Sequence, residues 1–410
     1  MSRPRWLILA VMLWPLAPSA NTPPEAPKPQ AGLVTGQDER PKGAGLLIRP
    51  AALGSVPSPR PTARAWLLVD HDSGRVLTEH GADQSIAPAS LTKLMTSYLV
   101  FEALQQGKLR LDDRITISRH AASHRGASLF LRPGEVLSVD DLVRGMIVSS
   151  ANDATVALAE RIAGSDSAFV ERMNARAREL GLEQTRYANV SGLDQDEHHS
   201  TARELTRLAG YLIRDFPREY QTYFRLREFT HNRIRQYNRN ALLWRDETID
   251  GVKTGRTRAA GHSLIASARR GNMRLLATVL GAPNEAARVD GAQRLLDYGF
   301  RHFETRLLYD ADTPAARLRV WMGNHSELPI GVGRPLYLTL PRGQHEKLHA
   351  RLTTYRPTQT APILRGERLG TLALEVDGKP YAEYPLVALH EVTPGNVFQK
   401  FIDRIRLWLR

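Results

Sequence analysis

Apolar positions in the first three quarters of the chain alternate between strand-like runs and helical spacing. Residues 65–70 form an apolar run typical of a buried strand, and a turn at residues 71–74 returns the chain through residues 76–77 as a hairpin. Over residues 90–106 the apolar positions recur at helical spacing around most of the circumference. The pattern therefore predicts a hairpin followed by a central, buried helix.

A second helical pattern is interrupted in its middle. It covers residues 139–148, breaks at residues 149–152 and resumes over residues 154–163. A break between two helices is a place where a loop can present side chains to a cleft. We therefore expect the polar residues of the break to be candidates for function.

Strand-like runs return in the next third of the chain. The runs at residues 249–252, 262–268 and 274–280 are joined by glycine-containing turns, which predicts antiparallel pairing. A helix is predicted from residue 285 to 296, with its end near Gly299. Strands surrounded by helices predict the α+β class, with an antiparallel sheet flanked by helices.

The pattern changes after about residue 305 to short alternating runs separated by Gly and Pro. Examples lie at residues 318–322, 335–340 and 369–376. They predict a small all-β domain over residues 306–392, following a first domain at residues 62–305. No motif with a chemical mechanism lies in the β domain.

The N-terminal end predicts export. Arg3 and Arg5 precede an apolar run at residues 6–14, and small residues follow. This layout predicts a secretory signal peptide over residues 1–20. The apolar run is shorter than the roughly 20 residues that a membrane-spanning helix needs. An uncleaved anchor is the alternative. Residues 21–61 are rich in Pro, Gly, Ala and charge, which predicts a disordered tether.

The C-terminal end predicts an amphipathic helix over residues 393–410. Its apolar face carries Val397, Phe398, Phe401, Ile402, Ile405, Trp408 and Leu409. Its polar face carries Lys400, Asp403, Arg404 and Arg410. A segment this short cannot span a bilayer, whereas aromatic residues beneath basic ones suit an interfacial helix on anionic lipid. A terminal helix docked on the protein itself is the alternative.

Composition narrows the chemistry. The net charge of +13 fits nucleic acid, an anionic membrane surface or an acidic polymer. The absence of cysteine excludes thiol nucleophiles, disulfides and Cys-ligated zinc. The Arg-rich stretch at residues 225–245 is interpreted as a solvated basic surface, so no nucleic-acid partner is predicted.

Two adjacent histidines, His198 and His199, raise the possibility of a metal site. No third ligand with suitable spacing accompanies them, and Ser200 and Thr201 are typical of a helix start. We therefore interpret the pair as the entry to a helix, and we predict no metal or organic cofactor.

The segment Ser90-Leu-Thr-Lys93 brings a hydroxyl and an amine together. On a helix, a spacing of three places both side chains on one face, with Cβ atoms about 5–6 Å apart. Serine becomes a nucleophile only when a base takes its proton, and lysine is such a base only if its pKa is lowered by burial or by a nearby cation. Taken alone, the segment is better explained by a capping serine and a surface lysine one turn further on.

Two further motifs, Ser150-Ala-Asn152 and Lys253-Thr-Gly255, follow in order. The second one follows a predicted strand and suits an edge that hydrogen-bonds an extended substrate, with Lys253 and Thr254 near a carboxylate. Gly255 allows the ligand backbone to approach closely. Each triplet alone is explained by a turn, but the order and placement of all three favour acyl transfer by an activated serine.

With these motifs the chain resembles the penicillin-binding D-alanyl-D-alanine carboxypeptidases, serine peptidases that trim peptidoglycan stem peptides. The similar segments lie at residues 87–96, 142–154, 189–194, 200–204 and 250–257. The resemblance covers residues 62–305 and extends more loosely to the family's C-terminal β domain. It implies a β-lactamase/transpeptidase-like fold for the first domain, then a small all-β domain and a C-terminal amphipathic helix.

The resemblance implies catalytic roles for three residues. Ser90 would be the nucleophile, Lys93 the general base and Ser150 a proton relay to the leaving amine. The substrate-binding residues would be Asn152, Lys253, Thr254, Gly255, Arg256 and Arg288. Among these, Asn152 would hold the substrate amide, and the backbone N–H groups of Ser90 and Arg256 would form an oxyanion hole.

The sequence departs from the family pattern at two places. The family often has Gly where this chain has Ala151, and His where it has Arg256. Since the implied role of residue 256 is played by its backbone, we expect activity to survive and substrate preference to shift. Arg288 is placed through the segment at residues 295–300.

The implied function is that of a D,D-carboxypeptidase at the periplasmic face of the cytoplasmic membrane, held there through its C-terminal helix. It would release the terminal D-Ala from peptidoglycan pentapeptide stems through an acyl-Ser90 intermediate, and β-lactams would acylate the same serine. A D,D-endopeptidase or a β-lactamase on the same scaffold is an alternative. A non-catalytic wall-binding protein is another, which the intact motifs disfavour.

Overall fold

The computed structural model describes residues 57–408, which divide into two compact units at residues 57–302 and 303–408. The predicted signal peptide at residues 1–20 lies outside the described residues, as does the predicted tether up to residue 56.

The first unit contains the strands of a central sheet and several short hairpins. Its strands are β1 (Ala65–Asp70), β2 (Val76–His80), β3 (Arg114–Thr116), β4 (Val136–Ser138), β5 (Glu228–His231), β6 (Ile234–Tyr237), β7 (Ile249–Thr257), β8 (Gly261–Arg270) and β9 (Met273–Ala282). Within residues 57–302, the central sheet has five strands in the order β2-β1-β9-β8-β7, and every pairing is antiparallel. Strand β7 is therefore an edge strand, paired with β8 on one side.

Helices cover the faces of this sheet. They are α1 (Lys93–Gln105), α2 (Arg119–Ala122), α3 (Val139–Arg144), α4 (Asn152–Ala163), α5 (Asp166–Glu179), α6 (Ala202–Asp215), α7 (Pro217–Tyr223), α8 (Leu242–Arg245) and α9 (Glu285–His302). Because side chains alternate along a strand, Leu67 and Val69 of β1 belong to the core that contains α1 and α6. Leu68 lies on the other face, beneath α9.

Helix α9 runs past Gly299, where its end was predicted, and continues to His302. A Cβ atom at Gly299 would lie 2.5 Å from a methyl group of Leu275 and 3.0 Å from one of Leu68. The glycine therefore serves close packing of the helix on the sheet, not helix termination. The prediction of the helix end was wrong for this reason.

Helix α1 is buried on nearly all sides, as predicted. Its entry differs from the prediction, because residues Ala89–Thr92 form a 3₁₀ turn and the α-helix begins at Lys93. Ala89 adopts a left-handed conformation with φ 49°, which a residue with a Cβ atom adopts only uncommonly. Ser90 thus lies in a tight turn at the head of the central helix.

The interrupted helix also has the predicted form. Helix α3 continues into a π-helical turn over Gly145–Ser149, and the chain then reverses at Ser150, which has φ 61°. Helix α4 begins at Asn152. The break places Ser150 and Asn152 at the junction of two helices.

The second unit is all-β except for short helical segments. Its elements are β10 (Phe303–Tyr309), β11 (Ala316–Trp321), β12 (Glu327–Gly331), β13 (Leu336–Pro341), β14 (Leu348–Thr354), β15 (Thr358–Thr360), β16 (Arg368–Val376), β17 (Lys379–Ala388) and α10 (Val397–Trp408). Within residues 303–408, six strands form a sheet in the order β14-β16-β17-β12-β11-β15, and β10 pairs with β13. Their apolar residues form a core of their own.

Helix α10 is held against the second unit by a buried carboxylate. Asp403 is 9% exposed and accepts a hydrogen bond of 2.8 Å from the backbone N–H of Met322. On the face predicted to be polar, the Asp403 carboxylate thus caps a backbone group of the β unit. Phe398 and Trp408 are 71% and 85% exposed, so much of the apolar face is uncovered. Among the described residues, no helix is both long enough and apolar enough to cross a bilayer.

Candidate active site

The turn at the start of α1 brings Ser90 and Lys93 together. The amine Nζ of Lys93 lies 3.3 Å from the hydroxyl Oγ of Ser90. Lys93 is also fully enclosed, whereas Ser90 borders a cleft. A buried amine beside a hydroxyl that faces the cleft is the arrangement of a base and its nucleophile.

Two further acceptors hold the Lys93 amine in place. Nζ donates to Oδ1 of Asn152 at 2.7 Å and to the backbone carbonyl of Ser191 at 2.6 Å. Burial lowers the pKa of Lys93 well below its ordinary value, and the positive charges of Lys253 and Arg239 lower it further. The neutral amine, which can take a proton, is therefore more accessible than in an ordinary lysine.

The junction of α3 and α4 places Ser150 at the cleft and Asn152 beside that amine. Ser150 lines the same cleft as Ser90, and its buried Oγ has no hydrogen-bond partner among residues 57–408. A buried hydroxyl without a hydrogen-bond partner destabilises the fold unless a ligand supplies that partner. Asn152 lies behind the cleft, where its Nδ2 donates to the carbonyl of Arg125 at 2.6 Å. Its amide thus joins Lys93 to the loop that precedes β4.

The third motif lies on the edge strand β7, beside the nucleophile's turn. A Cβ atom at Gly255 would lie 3.1 Å from the carbonyl oxygen of Pro88 and 3.3 Å from the backbone nitrogen of Ser90. The glycine therefore allows the edge strand to approach Ser90. Arg256, the next residue, lines the same cleft as Ser90.

Three cations lie together along this edge. Burial lowers the pKa of Lys253 to about 7, assisted by the charges of Arg239 and Arg288. Burial also lowers the pKa of Arg288, whose guanidinium donates to Glu285 at 2.8 Å and to the carbonyl of Arg239 at 3.1 Å. A site with this concentration of positive charge favours an anionic ligand group.

These residues surround a cleft of about 330 Å³. It is lined by Ser90, Ser150, Arg239, Thr254, Gly255, Arg256, His262, Glu285 and Arg288. Six of the predicted site residues thus line the cleft, and Lys93, Asn152 and Lys253 are buried. The structure brings all nine predicted residues into one region.

Sequence reasoning missed Arg239, which lies in the stretch interpreted as a solvated basic surface. The side chain borders the cleft, while its neighbours Asn238 and Asn240 are buried. Asn240 donates to the carbonyl of Gly251 in β7 at 3.0 Å, which ties this segment to the edge strand. Two asparagines that can hydrogen-bond to the backbone are a signal for an ordered turn, and this signal was available in the sequence.

No group of His, Asp and Glu residues in the described part of the chain is arranged to hold a metal ion. Thr201 caps helix α6 by accepting a hydrogen bond from the N–H of Glu204, so the segment after His199 is a helix entry. His198 is buried, and its Nε2 lies 2.7 Å from the hydroxyl Oγ1 of Thr92.

A protein-family model described as D-alanyl-D-alanine carboxypeptidase matches residues 54–284. The chain belongs to this family. A second model, described as the C-terminal domain of penicillin-binding protein 5, matches residues 303–394. Both the resemblance and the fold class expected from the sequence are thereby confirmed.

Curated relatives and solved structures agree with this assignment. The chain is 43% identical over 364 residues to D-alanyl-D-alanine carboxypeptidase DacC of Escherichia coli K12, covering 87% of this chain and 91% of the relative. Penicillin binding protein 5 from Haemophilus influenzae has a similar structure, with a TM-score of 0.79, 38% identity and coverage of 83% of this chain and all of that one.

A second similar structure contains an antibiotic. It is penicillin-binding protein D2 from Listeria monocytogenes in its ampicillin-bound form, with a TM-score of 0.55 and 33% identity. The match covers 60% of this chain and 100% of the Listeria chain. The family to which this chain belongs therefore includes proteins that bind a β-lactam.

Proposed function

We propose that this carboxypeptidase-family protein removes the terminal D-Ala from peptidoglycan pentapeptide stems through an acyl-Ser90 intermediate. The observation that carries the proposal is the Lys93 amine, which is buried, held by Asn152 and Ser191, and 3.3 Å from the Ser90 hydroxyl. Family membership supplies the substrate class.

Acylation follows from the positions of Ser90, Lys93 and Ser150. The neutral Lys93 amine takes the proton of Ser90 as Oγ bonds to the carbonyl carbon of the penultimate residue. The C–N bond to the terminal D-Ala then breaks, and the proton held by Lys93 reaches the leaving nitrogen through Ser150. Water next hydrolyses the ester, adding OH to the acyl carbon and H to Ser90 Oγ.

The rest of the cleft receives the C-terminal end of the peptide. The stem peptide would lie along the free edge of β7, and its terminal carboxylate would meet Thr254 and the guanidinium of Arg288. The backbone N–H groups of Ser90 and Arg256 would stabilise the oxyanion. Glu285 is already paired with Arg288, so it balances part of the positive charge of this guanidinium before substrate binds.

The proposal is tested with a purified chain and a stem pentapeptide ending in D-Ala-D-Ala. We expect release of D-Ala and, separately, a stable adduct of a labelled penicillin that maps to Ser90. The Ser90→Ala variant is expected to show neither. A chain that releases no D-Ala and forms no adduct would contradict the proposal.

The same assay separates the two alternatives on this scaffold. Rapid turnover of the penicillin, in place of a persistent adduct, would indicate a β-lactamase. Preferential cleavage of a cross-linked stem dimer over the pentapeptide would indicate a D,D-endopeptidase.

We further propose that the protein is exported and works at the periplasmic face of the cytoplasmic membrane. The sequence at residues 1–20 supports export, and the uncovered apolar side of α10 supports contact with lipid. Lys400, Arg404 and Arg406 add basic charge to the helix, which favours an anionic surface. Because Asp403 is bound to the β unit, the helix can present Phe398, Phe401 and Trp408 outward while it remains docked.

Sedimentation with vesicles tests the membrane proposal. The full chain is expected to sediment with vesicles of phosphatidylglycerol and phosphatidylcholine, and the chain lacking residues 396–410 is expected to stay soluble and active. Trp408→Ser should weaken binding, whereas Tyr355→Ser, at an exposed aromatic of the same unit, should not. Equal sedimentation of the truncated chain would show that the helix is not the anchor.

A further inference from the structure

His198 forms a buried bridge between two segments of the active site. Its ring is 5% exposed, and Nε2 lies 2.7 Å from the hydroxyl Oγ1 of Thr92. On the other side of the ring, Nδ1 lies 3.0 Å from the backbone nitrogen of Ala188 and 3.4 Å from that of Asn189. The histidine therefore contacts the nucleophile's turn and the loop at residues 188–193.

These contacts fix the protonation of the ring. A backbone N–H can only donate, so Nδ1 must be an acceptor and carry no proton. The proton of the neutral ring is then on Nε2, which donates to the Thr92 hydroxyl. His198 thus needs its neutral form, with one defined tautomer, to make both contacts.

Both ends of the bridge lead to the catalytic lysine. Thr92 lies between Ser90 and Lys93 in the 3₁₀ turn. The loop on the other side supplies the Ser191 carbonyl, which accepts the hydrogen bond of 2.6 Å from the Lys93 amine. The loop itself is ordered by Asn189, whose Oδ1 accepts from the N–H groups of Ser191 and Gly192.

The loop approaches the nucleophile very closely. Gly192 has φ +90°, and a Cβ atom there would lie 1.9 Å from the carbonyl oxygen of Ala89. A displacement of this loop would therefore change the surroundings of both Ser90 and Lys93. A misplacement of about 1 Å in an active site can cost a hundredfold in rate.

We propose that His198 is a positioning residue, which joins the nucleophile's turn to the loop at residues 188–193 and so keeps the Ser191 carbonyl where it orients the Lys93 amine toward Ser90. The proposal rests on the proposed function, in which Lys93 is the base for Ser90. His198 itself touches neither of those side chains, and it acts through Thr92 and the loop.

The bridge also gives the site a sensitivity to acid. Burial lowers the pKa of His198 from 6.5 to about 4, with further lowering by the charges of His199 and Lys93 and opposition from Asp194. Between these two pH values the unfolded chain binds a proton that the folded chain does not, so the free energy of unfolding rises with pH across this window. Below it, protonation of Nδ1 removes the acceptor for Ala188 and breaks the bridge.

Three variants test the positioning role by the rate of Ser90 acylation with a labelled penicillin and by kcat and KM for D-Ala release. His198→Ala is expected to lower the acylation rate and kcat roughly ten- to a hundredfold, with a smaller change in KM. His198→Gln should keep most of the rate, because its amide both donates and accepts. His199→Gln, at the neighbouring histidine, is the matched control and should behave as the wild type.

A fourth variant covers the case in which His198→Ala does not fold. Thr92→Val removes the hydroxyl while preserving its volume, and it should reproduce the loss without unfolding the chain. Combined with His198→Ala, it should add little further loss, because both changes remove the same hydrogen bond. His198→Gln should also abolish the dependence of unfolding free energy on pH between about 4 and 6.5 that His198 contributes.

The outcomes separate this inference from the proposed function. A wild-type chain that is not acylated overturns both. An active wild type with normal acylation of His198→Ala or Thr92→Val overturns the positioning role alone. Equal impairment of His198→Gln and His198→Ala also overturns it, because packing rather than hydrogen bonding would then be responsible.

Discussion

Each wall of the cleft carries a buried lysine, but only one of the two amines is fully hydrogen-bonded. On the nucleophile wall, formed by Ser90 and Lys93, the amine of Lys93 has three acceptors between 2.6 and 3.3 Å away. On the binding wall, formed by Lys253, Arg239 and Arg288, the Lys253 amine has one contact of 3.5 Å among residues 57–408, to the carbonyl of Thr254.

The difference indicates which wall needs a ligand to complete its hydrogen bonds. The Lys93 amine is already oriented, so its role needs no partner beyond the protein. The charges of two guanidinium groups act on the Lys253 amine, and an anion that enters the cleft would supply a counter-charge. Orientation is thus built into the nucleophile wall, and attraction for a carboxylate into the binding wall.

The largest effect is expected from replacing the base while keeping its charge. In Lys93→Arg the guanidinium cannot lose a proton at working pH, so acylation of Ser90 should fall about 10²- to 10⁴-fold. The rate of labelled penicillin incorporation measures this. Lys253→Arg, which keeps the cation of the binding wall, should lose far less. Near-normal acylation by Lys93→Arg would mean that the nucleophile wall supplies charge and not a base.

A smaller effect is expected at the binding wall. Arg288→Ala removes a charge-assisted contact to the substrate carboxylate, so kcat/KM for the pentapeptide should fall roughly ten- to a hundredfold. A peptide with an amidated C-terminus should be cleaved with little change between wild type and variant. Arg294→Ala, an exposed arginine on the same helix α9, is the control and should leave both substrates unaffected. An equal loss for both peptides would exclude carboxylate binding by Arg288.

The nucleophile wall was largely predictable from the sequence. Serine and lysine three residues apart are brought together by any helical turn, and the apolar pattern around them predicted a buried helix. The interruption after residue 148 likewise predicted a break that presents polar side chains such as Ser150 to a cleft. The 3₁₀ form of the first turn was not predictable, since it depends on the left-handed conformation of Ala89 and on Gly192 packing against it.

The binding wall was predictable only where it lies on one strand. Its motif consists of three consecutive residues, Lys253, Thr254 and Gly255, so it can be recognised in the sequence. Arg239 reaches the cleft because Asn240 ties its segment to β7, a contact between distant parts of the chain that leaves no periodic signal. The bridge of His198 to Thr92 spans 106 residues and was hidden for the same reason.

The smallest effects concern stability, where the same substitution on the two walls should act in opposite directions. Lys93→Met leaves the buried acceptors of Asn152 and Ser191 unpaired and should destabilise the fold by about 1–3 kcal/mol.

Lys253→Met removes a buried amine whose pKa is lowered from 10.5 to about 7, so between these values the unfolded chain binds a proton that the folded chain lacks. The free energy of unfolding of the wild type should therefore rise with pH across this window. Lys253→Met should remove that dependence and stabilise the protein most at or below pH 7, as measured by urea unfolding at several pH values. Destabilisation by both variants would mean that the Lys253 amine is as well satisfied as that of Lys93.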